Sequence, residues 1–455
     1  MKEYDVIVIG SGSGAIIAER ALASGLKTAL VDKGPVGGTC LNVGCIPSKI
    51  LIYPADVVAG IQRAKKLGIT AEVKDVDFKS IMERMRTLVH EDRDHMREGI
   101  LHAKALDFYE DEGYFTGEYT LEVKGEEIKG EKIFIVSGAR PLIPPVAGID
   151  NIEYLTNENV LELTENPESL IIIGGGYIAC EYGHFFAAMG TRVTILQRGP
   201  RLVPQEEPEI SDLLKEEMEP RMTIHVNTEA VQVKKDKTMY TVTGKNTKTG
   251  EQTELTAQEV MVAAGRKSNA DLLKVENTDV ETDKKGYIKV NEYLETTKKN
   301  IWAFGDAIGK EMFRHVANTE AGIAWHNSMH KEKMPMDYTA SPHAVFSCPQ
   351  IASVGLTEEQ AKKKHKILMG KAHYTDVAKG IAMMEDKGFA KVIVDKKSWK
   401  ILGFHIVGPY APILIQEVVD AMASGGSIQF IGEGMHIHPA LSELVMAPFG
   451  RLREP

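Results

Sequence analysis

The chain has 455 residues, with 26% charged and 43% hydrophobic residues and a net charge of −10, a length that fits about three domains of roughly 150 residues each. The acidic surplus argues against nucleic acid or an anionic membrane as the main partner, and no apolar run reaches the roughly 18 to 20 residues of a membrane span. Four cysteines make no disulfide framework in a chain able to bury a large core, and the N-terminus runs into a strand with no signal peptide, so the expected location is cytoplasmic.

The first predicted element is the strand Asp5-Val6-Ile7-Val8-Ile9, whose continuous apolar run reads as buried on both faces. Gly10-x-Gly12-x-x-Ala15, a helix-like stretch and the strand Thr28-Ala29-Leu30-Val31-Asp32 complete a βαβ unit. A glycine-rich turn alone is common. In this context, however, Gly10 gives the tight turn, Gly12 lets the backbone approach a pyrophosphate, and Ala15 keeps the helix close to the sheet. The helix N-terminus favours phosphate. Asp32, 22 residues after Gly10, stands where an acid bonds ribose hydroxyls.

Next comes Gly37-Gly38-Thr39-Cys40-Leu41-Asn42-Val43-Gly44-Cys45, ahead of a helix expected to begin near Pro47. Two thiols separated by four residues can close a small disulfide ring and reopen it, passing two electrons to or from an external disulfide. A helix N-terminus nearby lowers a thiol pKa. Metal binding by this pair would need two further ligands, and none lie in sequence reach, so no metal is expected. Cys180 and Cys348 read as inert buried thiols.

A second βαβ unit follows, with the strand Ser169–Ile173, Gly174-x-Gly176-x-x-Ala179 and the strand Arg192–Leu196. Two dinucleotide sites in one chain suggest electron transfer between two cofactors. The acid expected at the second strand's end is replaced by Gln197, with Arg198 and Arg201 after it. Guanidinium groups bind a 2′-phosphate that a carboxylate would repel. At roughly 1.5–3 kcal/mol per charge-assisted bond, NADPH is favoured, with NADH the alternative and plain surface decoration the competing role for the arginines.

The segment Ile301–Ala307 ends an apolar run with Gly305 and Asp306 at a turn. The run Lys362-Lys363-Lys364-His365 reads as a solvated helix face. From about residue 336 the composition changes, and Lys391–Asp395 and Ile401–Val407 read as strands of a separate α+β domain. Near the end, His438 stands five residues before Glu443. The carboxylate could orient the imidazole for proton transfer to a thiolate. A loop histidine or a His436-x-His438 metal site are the competing readings.

Together, Gly10-x-Gly12, Cys40 to Lys49, Ser137-Gly138-Ala139-Arg140-Pro141, Gly174 to Glu181, Gly265-Arg266, Gly305-Asp306 and His438 to Glu443 resemble the flavin-dependent pyridine nucleotide–disulfide oxidoreductases over nearly the whole chain. The resemblance implies an α/β fold: an FAD-binding domain (1–145 and 271–335), an NAD(P)-binding domain (146–270) and a C-terminal α+β dimerisation domain (336–455). It implies that Gly10, Gly12, Ala15, Asp32, Gly38, Thr39, Gly305 and Asp306 bind FAD, and that Gly174, Gly176, Tyr177, Ala179, Arg198, Arg201 and Gly265 serve the nicotinamide nucleotide. Cys45 would face the flavin as the charge-transfer thiolate, and Cys40 would attack the substrate. Lys49 and Glu181 would pair beside the flavin, and Tyr177 would cover the nicotinamide pocket. His438 and Glu443 would come from the second subunit of a homodimer.

Within that family, Tyr177 and Gln197-Arg198 resemble the NADPH-using reductases of small disulfides, such as mycothione and glutathione reductases. The expected activity is an EC 1.8.1-type transfer from NADPH to a low-molecular-weight disulfide. The alternatives are an NAD-dependent dihydrolipoamide dehydrogenase, oxidising a dithiol within a 2-oxoacid dehydrogenase complex, a mercuric reductase-like enzyme, and a redox sensor that does not turn over. No short motif reports the substrate pocket. Tyr53, His90 and Arg93 are candidates for it, though each is more commonly an ordinary helix-face residue.

Overall fold

The computed structural model describes all of residues 1–455. The first apolar run forms the strand Lys2–Ile9, and its inner residues Val6 to Ile9 are buried. It pairs in parallel with Thr28–Asp32 on one side and Glu126–Ile135 on the other. The resulting seven-stranded sheet is extended by Leu106–Glu110 next to Thr28–Asp32, and by the antiparallel strands Thr120–Val123 and Gly113–Gly117 beyond Glu126–Ile135. Ile301–Ala303 returns to pair in parallel with the end of Glu126–Ile135. That pairing carries Gly305 and Asp306 to the sheet edge where the first glycine turn lies.

The second βαβ unit builds a four-stranded parallel sheet in the order Thr223–Val226, Arg192–Gln197, Ser169–Ile173, Glu259–Val262. All five residues of Ser169–Ile173 are buried, as expected for a strand covered on both faces. A three-stranded antiparallel sheet, Thr228–Asp236, Met239–Asn246 and Gln252–Ala257, packs beside it. The C-terminal part is a five-stranded antiparallel sheet in the order Pro342–Val345, Ile351–Gly355, Ile401–Val407, Phe389–Asp395, Ile367–His373. The chain is thus mixed α/β with a C-terminal α+β unit.

The helix Cys45–Arg63 ties these parts together. It packs against Tyr177–Ala188 and Phe78–His102, and Leu51, Ala55 and Val58 share one core with Phe185 and Phe186 of the second unit and Val345 and Phe389 of the C-terminal sheet. It starts at Cys45, two residues before Pro47, which sits in the first turn, where a proline has no intrahelical N–H to lose. The stretch Gly38–Leu67, which spans the short helix Gly38–Asn42, a turn and the helix from Cys45, is long and apolar enough, by length and composition, to cross a membrane, although no such stretch stood out in the sequence. Its apolar face is the one turned to the shared core. Lys362 closes the one-turn helix Glu358–Lys362, and Lys362 and Lys363 pair with Glu358 and Glu359 one turn back, as a solvated face does.

A buried ionic cluster locks the second unit to the C-terminal sheet. Glu206 accepts from His343 Nε2 and Ser353 Oγ at 2.6 Å each. Lys391 Nζ lies 2.9 Å from Glu207, 2.7 Å from Glu358 and 3.1 Å from Glu209. Burial alone would drive these charges neutral. The partners reverse that, raising the Lys391 ammonium well above its ordinary range and lowering Glu206.

Candidate active site

A cavity of about 600 Å³ runs from Asp32, over Gly10 to Ser13, past Asp306, to Cys40, Cys45, Lys49, Tyr177 and Glu181. Gly10 has φ +104°, and a Cβ there would meet Val136 O at 2.3 Å, so only glycine makes this turn. Asp32 Oδ2 accepts from Ser11 N at 2.5 Å and Oδ1 from Gly34 N at 3.0 Å, so the acid also braces the loop. The helix also approaches the strand closely at the buried Gly14, whose Cβ would lie 2.8 Å from Val8 Cγ1, while Ala15 beside it is half-buried. Helix register turns position 14 toward the strand, so Gly14 shares the packing role expected of Ala15.

Gly38 and Thr39 line the cavity and open the short helix Gly38–Asn42 that carries Cys40. A Cβ at Gly44 would lie 2.8 Å from Thr39 O and 3.3 Å from Cys40 Cα. Glycine there lets the chain fold back on itself and bring the two free thiols together. The pair shares a proton: the hydrogen bond from Cys45, then the nearby Arg314 and Lys49 charges, lower Cys40 to about 7 against its burial. The same hydrogen bond pushes Cys45 well up, although the residue is exposed on the cavity side. In the dithiol state Cys40 is the more acidic of the two thiols, the one suited to attack a substrate disulfide as thiolate.

Behind the thiols, Lys49 Nζ lies 2.7 Å from Glu181 Oε2, and Glu181 Oε1 accepts from Phe346 N at 3.0 Å. Lys49 is one turn beyond Cys45 on the same helix, and Glu181 one turn beyond Tyr177 on Tyr177–Ala188. Tyr177 packs on Phe313 at 6.3 Å between ring centroids, and burial raises its phenol to about 12. Asp306 Oδ2 lies 3.2 Å from Arg266 Nε, and Gly305 N donates to the buried Glu320 Oε2 at 2.7 Å. Arg314 and Glu320 were not singled out from the sequence, and Arg266 entered only as part of the Gly265-Arg266 landmark, with no role given. Gly265 itself lies outside the cavity with φ +123° and turns the chain so that Arg266 lines it.

At the second glycine turn, Gly174 has φ +124° with Ala263 O 2.2 Å from its Cβ position, while the Cβ position of Gly176 faces open space. Ala179 is buried against the sheet. Arg198 is 76% exposed, with Glu229 at 3.6 Å. Arg201 Nε and Nη2 bind Asp212 at 2.8 and 3.2 Å, an exposed pair, so Arg198 is the freer of the two expected phosphate readers. His438 Nδ1 lies 2.9 Å from Glu443 Oε1, with the imidazole 71% exposed. Both residues lie outside the cavity of their own chain. His436 pairs separately with Glu417 at 2.7 Å. Tyr53 and His90 are exposed, and Arg93 contacts Asp94.

Among the buried side-chain polar atoms without a hydrogen-bond partner, Asn42 Oδ1, Ser137 Oγ and Tyr182 OH belong to residues lining this cavity. Unsatisfied buried groups are costly, and their concentration here fits an elongated polar cofactor such as FAD lying along the glycine loop. The pyridine nucleotide-disulphide oxidoreductase model matches residues 4–321, and the dimerisation-domain model of the same family matches residues 341–448. The chain belongs to the pyridine nucleotide-disulphide oxidoreductases.

It is 34% identical to mycothione reductase of Mycobacterium tuberculosis, over 98% of each chain. It is 32% identical to dihydrolipoyl dehydrogenase of Bacillus subtilis, over 97% of this chain and 96% of the relative, and 32% identical to mercuric reductase of Staphylococcus aureus, over 97% and 81%. Among solved structures, the Cu(II) complex of the HOCl-induced flavoprotein disulfide reductase RclA of Escherichia coli superposes with a TM-score of 0.87 at 27% identity, over 99% of each chain. This pyridine nucleotide-disulphide oxidoreductase is therefore an FAD-dependent NAD(P)H:disulfide oxidoreductase, and its dimerisation domain supports a homodimer.

Proposed function

We propose that the enzyme takes its electrons from NADPH and reduces a low-molecular-weight disulfide through Cys40 and Cys45. The net reaction is NADPH, one proton and R–S–S–R giving NADP⁺ and two R–SH. Bound in the cavity, FAD supplies the two-electron relay between nicotinamide and the thiol pair. Cys40 thiolate attacks a substrate sulfur, forming a mixed disulfide and releasing one thiolate, which His438 of the partner subunit protonates. Cys45 then displaces the second substrate thiol and closes the Cys40–Cys45 disulfide. The Lys49–Glu181 pair fixes one wall of the site, and Tyr177 covers the nicotinamide position until the nucleotide displaces it.

The observation that carries the NADPH reading is the end of Arg192–Gln197. It presents Gln197 where an acid would repel a 2′-phosphate, and the exposed Arg198 beside it. The test is stopped-flow reduction of the purified yellow protein with NADPH and, separately, NADH. Fast reduction by NADPH alone supports the proposal. Fast reduction by NADH alone, with strong turnover of dihydrolipoamide and NAD, would replace it with dihydrolipoamide dehydrogenase.

A further inference from the structure

Five cationic side chains line the cavity, and four are already paired. Lys33 lies 3.2 Å from Glu112, Lys49 2.7 Å from Glu181, Arg140 2.7 Å from Asp271 and Arg266 3.2 Å from Asp306. The fifth, Arg314, has no carboxylate partner. Its half-buried guanidinium makes two long hydrogen bonds, from Nη1 to Gly37 O and from Nη2 to Gly12 O, each 3.4 Å. Such lengths lie beyond the usual range for N–H···O bonds.

The placement is unfavourable for a free cation. Arg314 is the first residue of the helix Arg314–Met329, whose first turn holds no acid, and a positive charge opposes the helix dipole there. The guanidinium lies over the glycine where backbone approaches phosphate: a Cβ at Gly12 would be 3.5 Å from Nη1. One turn on, Asn318 Oδ1 accepts from Ser13 Oγ at 2.9 Å, so the helix is docked on the same loop at two points.

We propose that Arg314 is the cation that neutralises the pyrophosphate of FAD, and that the same guanidinium, through Gly37, ties the loop carrying Cys40 to the cofactor. This rests on the FAD assignment of the cavity. The second half has a chemical consequence. The charged and titratable groups around Cys40 are Cys45, Arg314 and Lys49, and Lys49 is held by Glu181. Arg314 is thus the unpaired fixed charge supporting the Cys40 thiolate, acting as a positioning residue toward both groups.

The test follows release of FAD from purified holoenzyme by the rise in free-flavin fluorescence, from low to high KCl, for the wild type, Arg314→Gln and Arg314→Lys. A lost charge-assisted contact should speed release by roughly tenfold to hundredfold in Arg314→Gln at low salt and flatten the salt response. Arg314→Lys keeps the charge and should restore most of both. Iodoacetamide labelling of the reduced holoenzymes should show the Cys40 midpoint moved upward in Arg314→Gln. Release at the wild-type rate, with the wild-type salt response, overturns the proposal. So does equally fast release from both variants, because that marks Arg314 as merely a packing residue. A wild-type protein that carries no FAD would instead overturn the assignment of the cavity.

Discussion

In the reduced enzyme, Cys40 and Cys45 should differ sharply in reactivity, and the size of the difference follows from their shared proton. With a pKa of about 7, Cys40 is roughly 9% thiolate at pH 6, against about 0.3% for a thiol at the ordinary value of about 8.5, a ratio of about thirty. A less basic thiolate is also a weaker nucleophile. With a Brønsted coefficient of about 0.45, the 1.5-unit difference costs about fivefold in intrinsic rate, leaving Cys40 about sixfold faster than an ordinary thiol at pH 6. Cys45 is exposed, but the hydrogen bond with Cys40 holds its proton, so it should be labelled much more slowly than Cys40. The assay is iodoacetamide labelling of NADPH-reduced enzyme from pH 5 to 9, with peptide fragmentation to assign the modified residue. Cys45→Ala removes the largest support of the Cys40 thiolate, so the Cys40 midpoint should rise toward the ordinary value. Preferential labelling of Cys45, or a Cys40 midpoint near 8.5 in the wild type, would refute the reasoning.

Replacing Arg198 with Ala should raise the KM for NADPH about tenfold or more while leaving that for NADH nearly unchanged, as read from steady-state kinetics with each nucleotide. Lys391→Met should leave Glu207 as an uncompensated charge beneath the C-terminal sheet, destabilising the protein by about 3–5 kcal/mol; thermal denaturation checks this, and adding Glu207→Gln should recover part of the loss. His438 holds the Glu443 carboxyl below its usual range. Glu443→Gln gives up that charge-assisted bond, and disulfide turnover should fall about tenfold to a hundredfold while reduction of the flavin by NADPH, followed by its bleaching, is unchanged.

Features that act over a few residues were legible in the sequence: the two glycine turns, the thiol pair and the His438–Glu443 spacing. Each works through local backbone geometry or one helical turn. What was missed depends on distant partners. Glu206 meets His343 across 137 residues, and Lys391 meets Glu207 across 184, and no periodicity announces such contacts. Arg266 and Arg314 are ordinary charges until Ile301–Ala303 and the Gly265 turn bring them to the first glycine loop. The meander Gly113–Gly117, Thr120–Val123, Glu126–Ile135 also went unread. Gly113–Gly117 and Thr120–Val123 have only five and four residues, too few to establish a period, and Glu126–Ile135 opens on a charged stretch, Glu126 to Lys132, before its apolar end. Arg201 also has a partner that no motif announced, the exposed Asp212 at 2.8 Å.

The cavity holds nucleophile, ion pair and gate, yet it holds no imidazole to protonate a leaving thiolate. The oriented His438–Glu443 pair stands exposed outside it, in a region that also exposes Phe430, Met435 and Ile437. An acid/base pair and an apolar patch displayed together, on a domain of dimerising type, make sense if the pair completes the cavity of a second copy related by two-fold symmetry. This can be decided by counting sites. Cys40→Ser and His438→Ala homodimers should each be inactive in disulfide turnover. After random subunit exchange of an equal mixture, half of the dimers are mixed, and each mixed dimer contains one site with both defects and one with neither. About a quarter of the wild-type activity should therefore return. If His438 served the cysteines of its own chain, every site would keep one defect and no activity would return.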